Sequence, residues 1–147
     1  MDKYQFFWDV MELCDWAHEG DDEKVLKPVV AYLSKQEDST IFAFDDLMSE
    51  LLYALDTRKL ADQCAAATGY TSGDVFLYSR CVALINGPQY YQNAKSGGQP
   101  GMWNMEFEAL LYTPAKAWAA KYKKTAEEYP HISPLSYETG SNKDGWN

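Results

Sequence analysis

A chain of 147 residues, 46% of them hydrophobic, is long enough to bury one sizeable core and too apolar for intrinsic disorder. No apolar run reaches the roughly 18 residues that a membrane-spanning helix needs, so no membrane partner is expected. The net charge of −9 is concentrated at the start, where residues 1–56 hold fourteen acidic side chains against four basic ones, and this argues against nucleic acid as a partner.

Asp2, Asp9 and Glu12 interrupt the apolar N-terminal stretch, which is therefore not expected to be a signal peptide. The three cysteines, Cys14, Cys64 and Cys81, are odd in number and widely spaced. They read as reduced core thiols and point to the cytoplasm.

In chain order the periodicity is helical almost throughout. Asp2 with Gln5 forms a capping pattern for a first helix running to about Glu19. At about 100° per residue, Phe6, Phe7, Val10, Met11, Leu13, Cys14 and Ala17 share one face of it. Asp9, Glu12, Asp15 and Glu19 share the other, and Trp8 and Trp16 fall on that acidic side. The two tryptophans are either covered by another element, such as the aromatic tail, or anchor a binding face that Asp22 extends. Asp15 and His18 are spaced i, i+3, but His131 is the one other histidine, so no metal site is expected.

A second helix follows Asp21-Asp22, with Val25, Leu26, Val29, Val30 and Leu33 inward and Pro28 in a first turn or a kink. A third opens at Ser39 or Thr40 and carries Ile41, Phe44, Leu47, Met48, Leu51, Leu52 and Leu55. Thr57 caps a fourth that Gly69 stops. Thr71 and Asp74 match a capping box for the fifth, which ends at Asn86-Gly87. Pro88 begins a short helix, PQYYQNAK, and SGGQPG (96–101) is the clearest loop. A long helix from Asn104 to Lys124 follows, interrupted or bent at Pro114. Residues 126–147 read as an extended, aromatic-rich tail packed on the helical domain of residues 1–125, with Ile132, Leu135, Tyr137 and Trp146 as contact residues. The expected fold is an all-α, single-domain helical bundle of about six to seven helices.

The stretch GYTSGDVFLYSR (69–80) looks most like a site. It lacks the spacing of a nucleophile elbow, a P-loop or a dinucleotide fingerprint, so no catalytic residue and no cofactor is assigned. An anion at this helix start would be opposed by Asp74. Arg80 is the one charge in a long apolar run, and a buried arginine must find carboxylates or carbonyls. The structural reading is an internal ion pair, with Asp56 and Asp62 nearest in sequence. The functional reading is a ligand-holding group with Asp74 and Tyr78.

Ser72, Asp74, Phe76, Tyr78 and Arg80, with the later Gly87, form an S-x-D-x-F-x-Y-x-R run. With FFW near the start and FEALLY at 107–112, it resembles the bacterial family catalogued as domain of unknown function 4240, over roughly residues 3 to 122. Gly73 stands where that family often has an aspartate, and Val82 where it often has tryptophan. The resemblance implies the fold and draws attention to Asp74 and Arg80 without giving them a chemistry.

Three functions remain open on these grounds. The leading expectation is a small acidic cytoplasmic protein-binding protein, most concretely an immunity protein that neutralises a basic toxin domain. Its face would hold Trp8, Asp9, Glu12, Asp15, Trp16, Glu19 and Asp22. The alternatives are an enzyme or small-ligand sensor around Asp74, Tyr78 and Arg80, and a scaffold domain without a partner at the acidic face.

Overall fold

A computed structural model describes residues 2–147, and among them there are eight α-helices, four 3₁₀-helices and no strand. The α-helices are α1 (Gln5–Met11), α2 (Asp22–Ser34), α3 (Asp38–Ala54), α4 (Arg58–Thr68), α5 (Gly73–Ile85), α6 (Pro88–Lys95), α7 (Thr113–Tyr122) and α8 (Lys143–Trp146). The 3₁₀ segments are Trp16–His18, Pro100–Asn104, Glu108–Tyr112 and Ala126–Glu128. The all-α expectation holds. No helix among the described residues is long and apolar enough to cross a membrane.

The chain forms two units, and the division falls inside α3. One runs to Leu47 and takes in Ala109–Pro134; the other comprises Met48–Glu108 and Leu135–Asn147. The division also falls within the segment 126–147, between Pro134 and Leu135, and that segment carries a 3₁₀ turn and α8.

In the first unit, α1 stops at Met11 instead of running to Glu19. The N–H groups of Leu13 and Cys14 donate to the carbonyls three residues back, Val10 and Met11, tightening the end of the helix. Asp15 then leaves the helical path, because its N–H donates to the Val25 carbonyl of α2 and its carboxylate accepts from Ala17 N–H at 3.1 Å. Such a local side-chain bond offers the backbone an alternative to the helix. Asp2 accepts from Tyr4 N–H at 2.9 Å, while Gln5 donates to Asp9, so the expected Asp2–Gln5 capping box does not form.

Asp21 caps α2 by accepting from Lys24 N–H, and Pro28 lies inside the helix rather than in its first turn. Val25, Leu26, Val29 and Leu33 are buried, Val30 half-buried. α2 packs along α7. The long helix expected from Asn104 is instead the 3₁₀ turns and α7, with Pro114 in the first turn of α7, where its missing N–H costs nothing. Asp38 opens α3 and receives Lys121 Nζ at 2.7 Å and the Tyr122 hydroxyl at 2.8 Å, both from α7. Tyr129 donates to Asp45 at 2.8 Å, and His131 stacks on Phe42 with its Nε2 2.8 Å from Asp46. Ile132, expected to pack, is 89% exposed.

In the second unit, α4 is capped by Thr57 and ends at Gly69 with a left-handed φ of 84°, as the punctuation implies. The cap of α5 is Ser72, accepting from Val75 N–H at 3.2 Å, one residue later than the expected Thr71. From Phe76 to Ile85 every residue of α5 except Tyr78 is buried. Ser79 donates to the Met105 carbonyl at 2.7 Å and Phe107 N–H to the Tyr78 carbonyl at 3.0 Å, tying the following segment to α5. All three cysteines are free and buried, and burial pushes the thiols of Cys14 and Cys81 up to about 11 and about 12.

Candidate functional site

The acidic residues expected to form a face lie in the first unit, on α1, on the 3₁₀ turn Trp16–His18 and at the start of α2. Asp9, Glu12 and Glu19 are exposed, and Asp15 and Asp22 half-buried. Trp8 does not join them. It is 5% exposed and meets Phe7 edge-on, with ring centroids 5.2 Å apart. The acidic side to which the projection assigned Trp8 was defined largely by Glu12, Asp15 and Glu19, and past Met11 the chain no longer follows that helix.

The same break turns outward Leu13, 40% exposed, and Ala17, which the projection placed inward. Trp16, which it placed on the acidic side, is 42% exposed. From Glu12 to Glu23 the chain thus presents two large apolar side chains among carboxylates. His18 Nε2 lies 3.6 Å from Asp15, and Lys24 lies 3.9 Å from Asp21. Burial, and then the neighbouring Asp21 carboxylate, hold the Asp22 carboxyl above its ordinary range. Chemically the segment is suited to cationic groups with an apolar component. Among the described residues no three His, Cys, Asp or Glu side chains converge as a metal site would require.

The three residues of the second candidate all sit on α5 but do not form one site. Asp74 is exposed in the first turn, where the helix dipole favours it. Tyr78 is half-buried beside Glu108, and its phenol is raised by burial, then by the Glu108 and Asp74 carboxylates. A cavity of about 40 Å³ opens at the start of α5, lined by Cys64, Ser72, Gly73, Phe76, Thr139 and Trp146 among others, and none of the three lines it.

Arg80 is fully buried, as its apolar surroundings require, but no carboxylate pairs with it directly. Nη1 donates to the Leu52 carbonyl at 2.9 Å. Nη2 donates to the Tyr137 carbonyl at 3.0 Å and to Thr139 Oγ1 at 3.1 Å. The guanidinium stands over the Phe76 ring, 4.6 Å from its centroid, and Nε has no hydrogen-bond partner. The expected ion pair with Asp56 or Asp62 is therefore replaced by neutral oxygens. The last turn of α3 supplies one of them, at the negative end of that helix. Burial lowers the guanidinium to about 10, with Asp56 the largest opposing influence, so Arg80 stays charged at neutral pH.

Asp56 is also fully buried, and its role differs from the one expected of it. Oδ1 accepts from Gly140 N–H at 3.0 Å and Trp146 Nε1 at 2.8 Å, and Oδ2 accepts from Asn142 N–H at 3.0 Å. Asn142 Nδ2 donates to the Tyr53 carbonyl, Thr139 Oγ1 to the Gly73 carbonyl, and Arg58 Nε to the Trp146 carbonyl beneath a cation–π contact. Thus both buried charges of the second unit engage the segment from Tyr137 to Trp146. No local pattern in the sequence marks this segment as their partner.

A family model described as protein of unknown function (DUF4240) matches residues 1–120. Comparison with curated proteins finds no match, and neither does comparison with solved structures. The matched span includes the Glu12–Glu23 segment, Asp56, Asp74, Tyr78 and Arg80, and ends before Tyr137.

Proposed function

The chain belongs to the DUF4240 family, and we propose that this member is a small acidic protein-binding protein of the cytoplasm. Its specific role in this reading is that of an immunity protein, neutralising a basic toxin domain through the Glu12–Glu23 segment. The observation that carries the reading is the exposure of Leu13 and Trp16 among the carboxylates of that segment. Aromatic and aliphatic anchors at the centre of a patch supply most of the energy of an interface. The surrounding like charge steers a basic partner and accelerates encounter. Trp8 is not part of the surface. Asp9, Glu12, Asp15, Trp16, Glu19 and Asp22 remain, with Leu13 added.

The test is titration against a basic toxin domain encoded beside this protein, with binding followed by calorimetry and association by stopped flow. Trp16→Ala is expected to weaken the complex about tenfold or more, mainly through faster dissociation. Asp15→Lys is expected to slow association and flatten its salt dependence, while Asp144→Lys on α8 serves as a distant control. A complex equally tight for Trp16→Ala, Asp15→Lys and the control would dismiss this surface. The alternative site at Asp74, Tyr78 and Arg80 gains no support, because the guanidinium is buried on oxygens of the chain itself.

A further inference from the structure

We propose that Asp56 and Arg80 form a docking site for a peptide segment, and that residues 135–147, which end in the short helix α8, are its intramolecular occupant. In this view the segment is a strap that leaves and re-enters the site while the remainder of its unit stays folded.

The argument starts from cost. A charged side chain removed from water must be satisfied by hydrogen bonds or an opposing charge. Here two such groups are fully buried in one unit. Apart from the strap, Arg80 has one hydrogen-bond acceptor among the described residues, the Leu52 carbonyl, besides the face of Phe76, and every donor that reaches Asp56 comes from the strap. The contacts are those of peptide recognition. Arg80 takes a backbone carbonyl and a hydroxyl, Asp56 takes two backbone N–H groups, and side-chain selectivity comes from Thr139, Asn142 and Trp146. Gly140, between them, has a φ of 91°, which favours glycine. A Cβ at Gly145 would stand 2.8 Å from the Asp56 carbonyl oxygen, so the pattern read by the site is T-G-x-N-x-x-G-W, residues 139–146.

Separability follows from what the strap does not contribute. None of residues 135–147 is buried, so no core side chain departs with it. When it leaves, water reaches Asp56 and Arg80, and the charges become hydrated rather than orphaned. Even with the strap in place, Arg80 Nε is unmet, so this occupant does not saturate the donors offered. The family match ends at residue 120, so both receptor residues lie within the matched span and the occupant lies beyond it.

The experiment uses the full-length chain carrying Trp146→Ala, which removes the indole bond to Asp56 and the ring over Arg58 and so weakens the strap in place. A fluorescent synthetic peptide of residues 135–147 is titrated into it. Saturable binding is expected, weaker to the wild type because its own strap competes at high effective concentration. N-methylation of the peptide at Asn142, which deletes the N–H bound to Asp56 Oδ2, is expected to weaken binding about tenfold or more. In the wild type, native-state hydrogen exchange at Gly140 and Asn142 is expected to be about tenfold or more faster than at Cys81 and Leu84 of α5. Three outcomes overturn the proposal: exchange of Gly140 and Asn142 only together with α5, loss of helical signal in Trp146→Ala, or a folded Trp146→Ala chain that ignores the peptide.

Discussion

Replacing Asp56 by asparagine keeps the shape of the side chain while exchanging one acceptor oxygen for an NH₂ donor. Oδ1 serves Gly140 N–H and Trp146 Nε1, and Oδ2 serves Asn142 N–H. An amide oxygen can meet one of these sides, and on the other a donor then faces a donor. One charge-assisted bond, about 1.5–3 kcal/mol, is lost outright. The remaining two fall from charged to neutral strength, about 1 kcal/mol each, for a total of about 3–5 kcal/mol. Arg80 also loses its main opposing charge, which acts in the same direction. Trp146→Ala alone removes one bond to the carboxylate and the ring over Arg58, about 2–3 kcal/mol. Both substitutions act on a single event, the docking of the strap. In the Asp56→Asn background Trp146→Ala should therefore add no more than about 0.5 kcal/mol, a coupling of roughly 2 kcal/mol. Urea unfolding followed by far-UV circular dichroism measures all four corners of the cycle. For a chain of this size the Asp56→Asn loss corresponds to a Tm about 10 °C lower. Single losses that add within about 0.5 kcal/mol, or an Asp56→Asn loss below about 1 kcal/mol, would refute the reasoning.

Acid should weaken the contact between α3 and α7. Lys121 and Tyr122 hold the Asp38 carboxyl below its ordinary value of 3.8, so its contribution is complete above that pH and disappears as pH falls through the lower folded value. Lys121 is raised above 10.5 by the same bond, so its contribution is complete below 10.5 and lost as pH rises through the folded value. Asp38→Asn should therefore flatten the acid limb of the urea midpoint plotted against pH, and an unaltered limb would contradict this. Gly87, at φ 92° and ψ 172° with open space where a Cβ would stand, should cost about 1–3 kcal/mol on substitution by alanine, from backbone strain alone. Thermal denaturation reads this, and an unchanged Tm would show that the turn relaxes freely.

What the sequence made legible was punctuation that needs no tertiary partner. Thr57 and Gly69 bound α4, Pro88 opens α6, and Asp21 caps α2 as the residue types imply. What stayed hidden were contests between neighbouring backbone bonds. Asp15 satisfies Ala17 N–H and thereby ends the helical path, and Ser72 rather than Thr71 reaches Val75 N–H. For the acidic face, charge was readable because carboxylates without a buried set of donors stay in water. The place of Trp8 was not, because it depended on a projection through residues 12–19 that the break invalidates. For Arg80, burial followed from the apolar residues around it in sequence. Its partners did not, because carbonyl oxygens have no residue signature and two of the acceptors lie at Tyr137 and Thr139.

The two candidate sites use charge in opposite physical regimes, which is why they should be assigned to separate roles. The Glu12–Glu23 carboxylates are solvated and screened within about 8 Å at physiological ionic strength. They can draw a basic partner and set its rate of approach, but each adds little to the stability of the chain. Asp56 and Arg80 are out of water and opposite in sign, so they add no net charge to long-range attraction but contribute a great deal to which segment can occupy the space they line. A peptide segment, which offers donors and acceptors together, suits that space better than a small charged ligand. An anion suited to Arg80 would be repelled by Asp56, and a cation suited to Asp56 would be repelled by Arg80. The peptide unit, with a carbonyl for one and an N–H for the other, satisfies both at once, and that is the form in which Tyr137 to Asn142 meets them.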